Sequence, residues 1–278
     1  MKMRVRGASS LPPNPQNMTH PALSDLVESL RRADLWIYMG WHDVRQRYRR
    51  STLGPFWITL ATMIFIGLMT IVYSALLRQD VHDFLPFVAA GMVVWTMISG
   101  CLTEGTNVFI SAAAVIRQVP APLPVHVCRL LWQQVIFFAH NVIVVVLVVI
   151  ALQLPVRAAT LLAIPGFLLL VLNLGWIVLL LGSLGARYRD VPTIVQSFSA
   201  GLFLVTPVMW PMTVLPPERR WVATINPFTY LVDVVRSPLL GQAPETTTWL
   251  ACLATAVLGW FLALWVYRGA RGQIAYWV

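Results

Sequence analysis

The chain has 278 residues, 58% hydrophobic and 11% charged, with a mean hydropathy of +0.72. Soluble domains carry about 25% charged residues, so this composition excludes a soluble domain and describes an integral membrane protein. A formal charge of +9 taken alone admits a nucleic-acid partner, but the charges flank apolar runs, which points to a membrane surface and away from nucleic acid.

Residues 1–18 contain Pro12, Pro13 and Pro15, scattered charge and no apolar stretch. They read as a disordered cytosolic tail and not as a secretory signal; the folded domain is expected over 19–278. Pro21 to Tyr38 reads as an amphipathic helix, with Leu23, Leu26, Val27, Leu30, Ala33 and Ile37 at helical spacing. Its acids come early and its arginines late, as the helix dipole prefers. The apolar face is too short to cross a bilayer. It either packs on protein or lies in the interface, on the cytosolic side in both cases. Trp41 to Trp57 then crowds Arg45, Arg47, Arg49 and Arg50 into one short basic stretch, closed by a Gly54-Pro55 turn.

Six apolar runs follow, over about 56–77, 84–103, 125–152, 158–184, 191–210 and 249–267. Each is near or above the ~20 residues that cross ~30 Å of hydrocarbon as a helix. The expected fold is an all-α membrane protein with six transmembrane helices. An even count places both termini on one side. With the N terminus inside, Lys2 and fourteen arginines lie on the cytosolic face, and five lie outside: Arg78, Arg157, Arg219, Arg220 and Arg236. The connections after the first and third runs are short outer turns. The inner connection 104–124 holds a short helix over 110–119, stopped by Pro120, Pro122 and Pro124. Gly185 to Pro192 is a tight basic inner turn. The last outer segment, 211–248, is the largest. Short helices are expected over 217–224 and 227–237, with Phe228, Leu231, Val232 and Val235 sharing an apolar face. Helices of that length dip back into the membrane or lie at its surface, and at depth they need shielding by protein.

Catalytic motifs are missing from the sequence. Lys2 is the only lysine and no G-x-x-x-x-G-K-[ST] occurs, so no P-loop holds a nucleotide. There is no H-E-x-x-H and no G-x-S-x-G; His20, His42, His82, His126 and His140 have no ligand spacing. Cys101, Cys128 and Cys252 lie in or beside apolar runs and form no disulfide or metal pattern. Charge is nearly absent inside the runs, whereas ion-coupled carriers keep it there. His140 and Asn141 fall mid-span, where an interhelical hydrogen bond is favoured over proton transfer. The residues describe a membrane pathway without its own engine.

Asp43 to Trp57, D-V-R-Q-R-Y-R-R-S-T-L-G-P-F-W, resembles the entry to the first span in permease subunits of type-2 ABC exporters, the polysaccharide (O-antigen and capsule) subfamily above all. His42 stands where that pattern commonly has Arg, and the Ser-Thr-Leu spacing is slightly compressed. Ala186–Pro192, A-R-Y-R-D-V-P, resembles the inner turn between the fourth and fifth spans. Asn226–Gly241, N-P-F-T-Y-L-V-D-V-V-R-S-P-L-L-G, resembles the signature before the last span. The three motifs occur in the family's order and cover nearly the whole chain beyond Met18.

The resemblance implies two permease copies paired with two copies of a separate ATPase, which would bring ATP and Mg; no cofactor is expected in this chain. The ATPase would dock on the inner connection, at Ile110, Ala113, Ile116 and Arg117, and on the N-terminal helix. The cargo would be a glycan on a polyprenyl pyrophosphate lipid, exported across a bacterial inner membrane. Arg45, Arg47, Arg49 and Arg50 would meet the pyrophosphate, since guanidinium pairs bidentately with phosphate oxygens, or would anchor the inner surface to anionic membrane lipids. Arg187, Tyr188, Arg189 and Asp190 would gate the inner mouth, or form a solvated turn. Asn226, Pro227, Phe228, Tyr230 and Arg236 would belong to an outer gate. A glycan channel would use aromatic rings against sugar C–H faces, with Phe65, Tyr73, Trp95, Phe198, Phe203 and Trp210 as candidates, although Trp and Tyr also gather at membrane interfaces without a ligand. Other cargoes, such as teichoic acid, a lipid or a drug, fit the same family. A multispan transferase on a lipid-linked substrate is the alternative from another class, with Asp43, Glu104, Asp190 and Asp233 as its available acids.

Overall fold

The computed structural model describes residues 22–49, 54 and 56–278, and every regular element among them is helical. The expected tail 1–18 and Arg50 lie outside the described residues. In place of one helix over 21–38 there are two, α1 (Ala22–Arg31) and α2 (Ala33–Arg47). They break at Arg32, whose φ/ψ of −84°/49° leaves the helical region. A Glu28–Arg32 ion pair of 2.7 Å sits at the break. α2 continues past Tyr38 through Gly40 because that glycine is a contact and not a stop. A Cβ there would meet the Arg129 carbonyl oxygen at 2.9 Å. Arg45 and Arg47 therefore occupy the last turn of a helix, where the dipole favours positive charge.

The remaining helices are α3 (Phe56–Leu77), α4 (Val81–Gly105), α5 (Ala113–Gln118), α6 (Pro124–Ala151), α7 (Ala163–Arg187), α8 (Val191–Val205), α9 (Trp221–Ile225), α10 (Pro227–Leu239) and α11 (Thr246–Trp277). Five helices are long and apolar enough to span a membrane: α3, α4, α6, α7 with the 3-10 turn before it, and α11. The fifth expected span is shorter than its apolar run. α8 has 15 residues, about 22 Å at 1.5 Å per residue. It stops because Thr206 precedes Pro207, which drives Thr206 out of the helical region to φ/ψ −80°/132°. α11 is longer than its apolar run and carries Arg268 and Arg271 on its last turns.

α4 is the centre of the bundle, packed on α3, α6, α7, α8 and α10. α3 lies outside it and buries Thr59, Ile66, Thr70 and Ser74, a narrow stripe of mostly hydroxyl residues at helical spacing. Small and hydroxyl side chains let helix backbones approach closely where lipid removes the hydrophobic drive between helices. The α7–α11 seam follows the same rule. Asn173 donates to the Cys252 carbonyl at 3.1 Å and Trp260 donates to the Leu172 carbonyl at 3.0 Å across it, while Trp176 donates to Asn173 within α7 at 3.1 Å. His140 is different from expectation: its Nδ1 lies 2.8 Å from the carbonyl of Ile136 in its own helix. Thr59 instead joins α3 to α6 by donating to the His140 carbonyl. Asn141 is fully buried, with no amide partner among the described residues.

The short helices also shift slightly. The inner connection runs as turns over 106–112 before α5, and Val119 is extended ahead of Pro120. On the other side, Pro217–Arg219 is a 3-10 turn followed by α9. α10 begins at a proper cap: the Asn226 side chain accepts from the Phe228 N–H at 3.0 Å, with Pro227 at the first helical position. α10 packs on α4, α7 and α11 and buries Leu231, Val232 and Val235, so its apolar face is shielded by protein.

Candidate functional site

The arginine-rich end of the bundle is built from two matching helical ladders. On α2, Asp43 and Arg47 are four residues apart and share a face; on α6, Arg129 and Gln133 do the same. Asp43 takes both donors of Arg129, Nε at 2.5 Å and Nη2 at 2.6 Å. Arg47 donates to Glu104, at the end of α4, at 2.9 Å, and Gln133 donates to the other carboxylate oxygen at 3.3 Å. The Arg47 guanidinium also lies over the Phe137 ring at 5.1 Å, and Tyr48 meets the same ring edge-on. Burial pushes the Tyr48 hydroxyl above its ordinary pKa, opposed by Arg47 and helped by Glu104. Asp43, Glu104, His126, Arg129 and Gln133 enclose a small polar cavity of about 80 Å³.

Of the arginines expected at a head group, Arg45, Arg47 and Arg49 are all exposed, and Arg47 also pairs with Glu104. The acids considered for a transferase are engaged as well: Asp43 with Arg129, Glu104 with Arg47, and Asp233 with Arg236. Asp190 is exposed in the turn before α8. The Arg129 pairing crosses 86 residues of sequence, and the only signal for it was a lone arginine at the start of an apolar run. We expect Asp43→Arg and Arg129→Asp each to lower stability by about 1–3 kcal/mol, and the charge-swapped double variant to recover much of the loss. Thermal melting of the purified variants checks this; additive losses would show that the pair contributes nothing specific.

A second knot joins the end of α11 to the short elements α1 and α5. Asp25 on α1 pairs with Arg271 at 3.1 Å and accepts from the Tyr267 hydroxyl at 3.2 Å. Arg117 on α5 donates to the Val278 carbonyl. Arg187 at the end of α7 lies over the rings of Tyr188, at 5.2 Å, and Trp277, at 5.6 Å. Tyr188, Arg189 and Asp190 are exposed beside it. Within the expected coupling group, Ile110 and Arg117 are exposed, Ala113 is half-buried, and Ile116 packs against the core.

At the opposite end the candidate gate residues do not share one surface. Asn226 is buried and donates to Thr206 at 2.8 Å, while Tyr230 donates to the Thr224 carbonyl at 2.8 Å. Arg236, read from sequence as an outward-facing charge, is 7% exposed. It donates to the Pro207 carbonyl at 2.6 Å and to Asp233 at 3.1 Å, with its guanidinium 4.3 Å from the Phe87 ring centre. Burial disfavours its charge and the Asp233 carboxylate opposes that shift. Among the candidate channel aromatics, Trp95 and Phe203 meet at 5.5 Å, and Trp95 meets Phe228 at 6.4 Å. This group joins α4, α8 and α10. Phe65 and Phe198 are exposed on separate helices, Tyr73 packs on the core, and the Trp210 N–H bonds the Leu204 carbonyl.

Five helices long and apolar enough to span, with protein-shielded short helices between them, describe a multi-pass membrane protein. Residues 34–240 match the ABC-2 type transporter family, and the chain belongs to it. It is a membrane permease domain, the transport subunit that works with a separate ABC ATPase using ATP. Three curated relatives carry the name O-antigen export system permease protein RfbA. The one from Myxococcus xanthus is 20% identical over 237 residues, spanning 84% of this chain and 91% of that protein. One from Klebsiella pneumoniae is 20% identical over 205 residues, spanning 72% and 77%.

Proposed function

We propose that this chain is the channel-forming permease subunit of an exporter for a lipid-linked polysaccharide of the O-antigen type. The carrying observation is the alignment with the Myxococcus xanthus permease over 84% of this chain. Two copies pair in a bacterial inner membrane and two ATPase subunits dock from the cytosol, with both permease termini on that side. Docking falls on α1 and α5, through Ile110, Ala113, Ile116 and Arg117. The knot from α1 and α5 to the end of α11 supports this, because it gives a docked protein a stiff connection into a spanning helix. Arg45, Arg47, Arg49 and Arg50 meet the pyrophosphate; Arg45 and Arg49 are exposed beside the ion pairs, and Arg47, also exposed, pairs with Glu104. Arg187, Tyr188, Arg189 and Asp190 form the inner gate. Asn226, Pro227, Phe228, Tyr230 and Arg236 support the outer one, with Trp95 and Phe203 behind it.

Deleting the gene is expected to remove the glycan from the cell surface and to accumulate its lipid-linked form inside. Normal surface glycan would reject the cargo. Orientation has its own test. A cysteine at Thr224, exposed in α9, reacts with an impermeant reagent from outside, and one at Gln118, exposed at the end of α5, does not. The reverse pattern would overturn the orientation.

A further inference from the structure

Beside the ion-paired end of α2 lies a groove of about 390 Å³ between the end of α4 and the start of α8. Its lining is polar: Thr103, Glu104, Asn107 and Ser111 on one wall, Thr193 and Gln196 on the other, with Pro192 the one apolar contributor. The first wall follows helical spacing along α4 into the turn after it, and Thr193 and Gln196 share a face of α8. Glu104 belongs both to this groove and to the Arg47 pair, so the groove opens at the arginine-rich end.

The chemistry of that lining selects its ligand. Hydroxyl and amide side chains both donate and accept, as sugar hydroxyls do. Glu104 accepts from Arg47 and Gln133, and a carboxylate has further lone pairs for a sugar O–H. Among the described residues no arginine or lysine lines the groove, so its lining does not favour a diphosphate. An acyl chain would strip water from these polar groups without replacing their hydrogen bonds. The volume falls within the ~300–1,000 Å³ typical of small-ligand sites.

Resting on the export reading, we propose that this groove is the sugar subsite of the entry: it takes the uncharged saccharide units next to the lipid pyrophosphate, while the exposed arginines of α2 take the phosphates. Glycan selection then resides in Thr193, Gln196, Asn107 and Ser111, and the head group is read separately.

The test uses the permease–ATPase complex in vesicles, with two probes: the native polyprenyl-pyrophosphate-linked glycan and sugar-free polyprenyl pyrophosphate. The readout is the probe concentration giving half-maximal ATPase stimulation. Thr193→Val with Gln196→Leu removes two hydrogen-bonding groups, and the glycan value is expected to rise about tenfold relative to the sugar-free value. Thr193→Ser, which keeps the hydroxyl, is expected to leave that ratio within about twofold. A double variant that moves both probes equally, or neither, overturns the groove assignment alone. A wild-type complex that responds no better to the glycan than to the sugar-free lipid overturns the export reading and the groove with it.

Discussion

Arg236→Met is expected to destabilise the permease by about 3 kcal/mol, because it leaves the half-buried Asp233 carboxylate without its cation and the buried Pro207 carbonyl without its donor. Arg236 is 7% exposed and ties the Pro207 carbonyl to Asp233. Asp233 in turn accepts from Ser237 at 2.8 Å and Thr248 at 3.3 Å, so one carboxylate links α10 to the start of α11. Removing the guanidinium frees the turn that ends α8 from α10, and takes the cation off the Phe87 ring of α4. Arg236→Lys should fall between, since an ammonium keeps the charge but not the planar fork that reaches both acceptors. Melting of the detergent-purified protein is the check. A methionine variant that melts with the wild type would mean that the knot carries no net stability.

Gly185→Leu is the second large effect. A Cβ at Gly185 would lie 2.0 Å from the Thr106 carbonyl oxygen, and one at Gly182 would lie 2.4 Å from the Val108 side chain. The first obstacle is backbone, which cannot rotate aside, so α7 must part from the turn after α4. A cost of about 3 kcal/mol or more is expected, at the upper end of overpacking. The disturbed turn leads directly to α5, so ATP hydrolysis by the assembled complex should also lose its coupling to transport. Gly67→Ala, on a face of α3 with nothing within 4 Å, is the control; it should stay within about 0.5 kcal/mol of wild type. A leucine at Gly185 as stable as that control would deny the close approach.

The long helices were legible because an uncharged apolar run has few fates other than a membrane span. α10 was legible too, from Asn226-Pro227 and its apolar spacing. The end of α8 was written in Thr206-Pro207, but the apolar residues running on to Trp210 concealed it. The helix over 21–38 ends too early because the apolar spacing stops at Ile37, whereas α2 runs on through Gly40, where a neighbouring backbone lies close. Counting charge assigns Arg236 a side of the membrane but not its burial, for which the Asp233-x-x-Arg236 spacing offers a partner on its own helix. The pairs Asp43–Arg129 and Arg47–Glu104 had no such local signal. They span 86 and 57 residues, and only the packing of α2 against α6 and α4 brings them together. Of the basic stretch, Arg47 makes an ion pair while Arg45 and Arg49 make none of the ion pairs described.

The central claim is that this chain forms the passage and another protein supplies the energy. The direct measurement is reconstitution of the purified chain into vesicles loaded with lipid-linked glycan, with and without its ATPase partner. ATP hydrolysis and glycan transfer across the bilayer should both require the partner. Transfer, or product formation, by the chain alone would contradict the account.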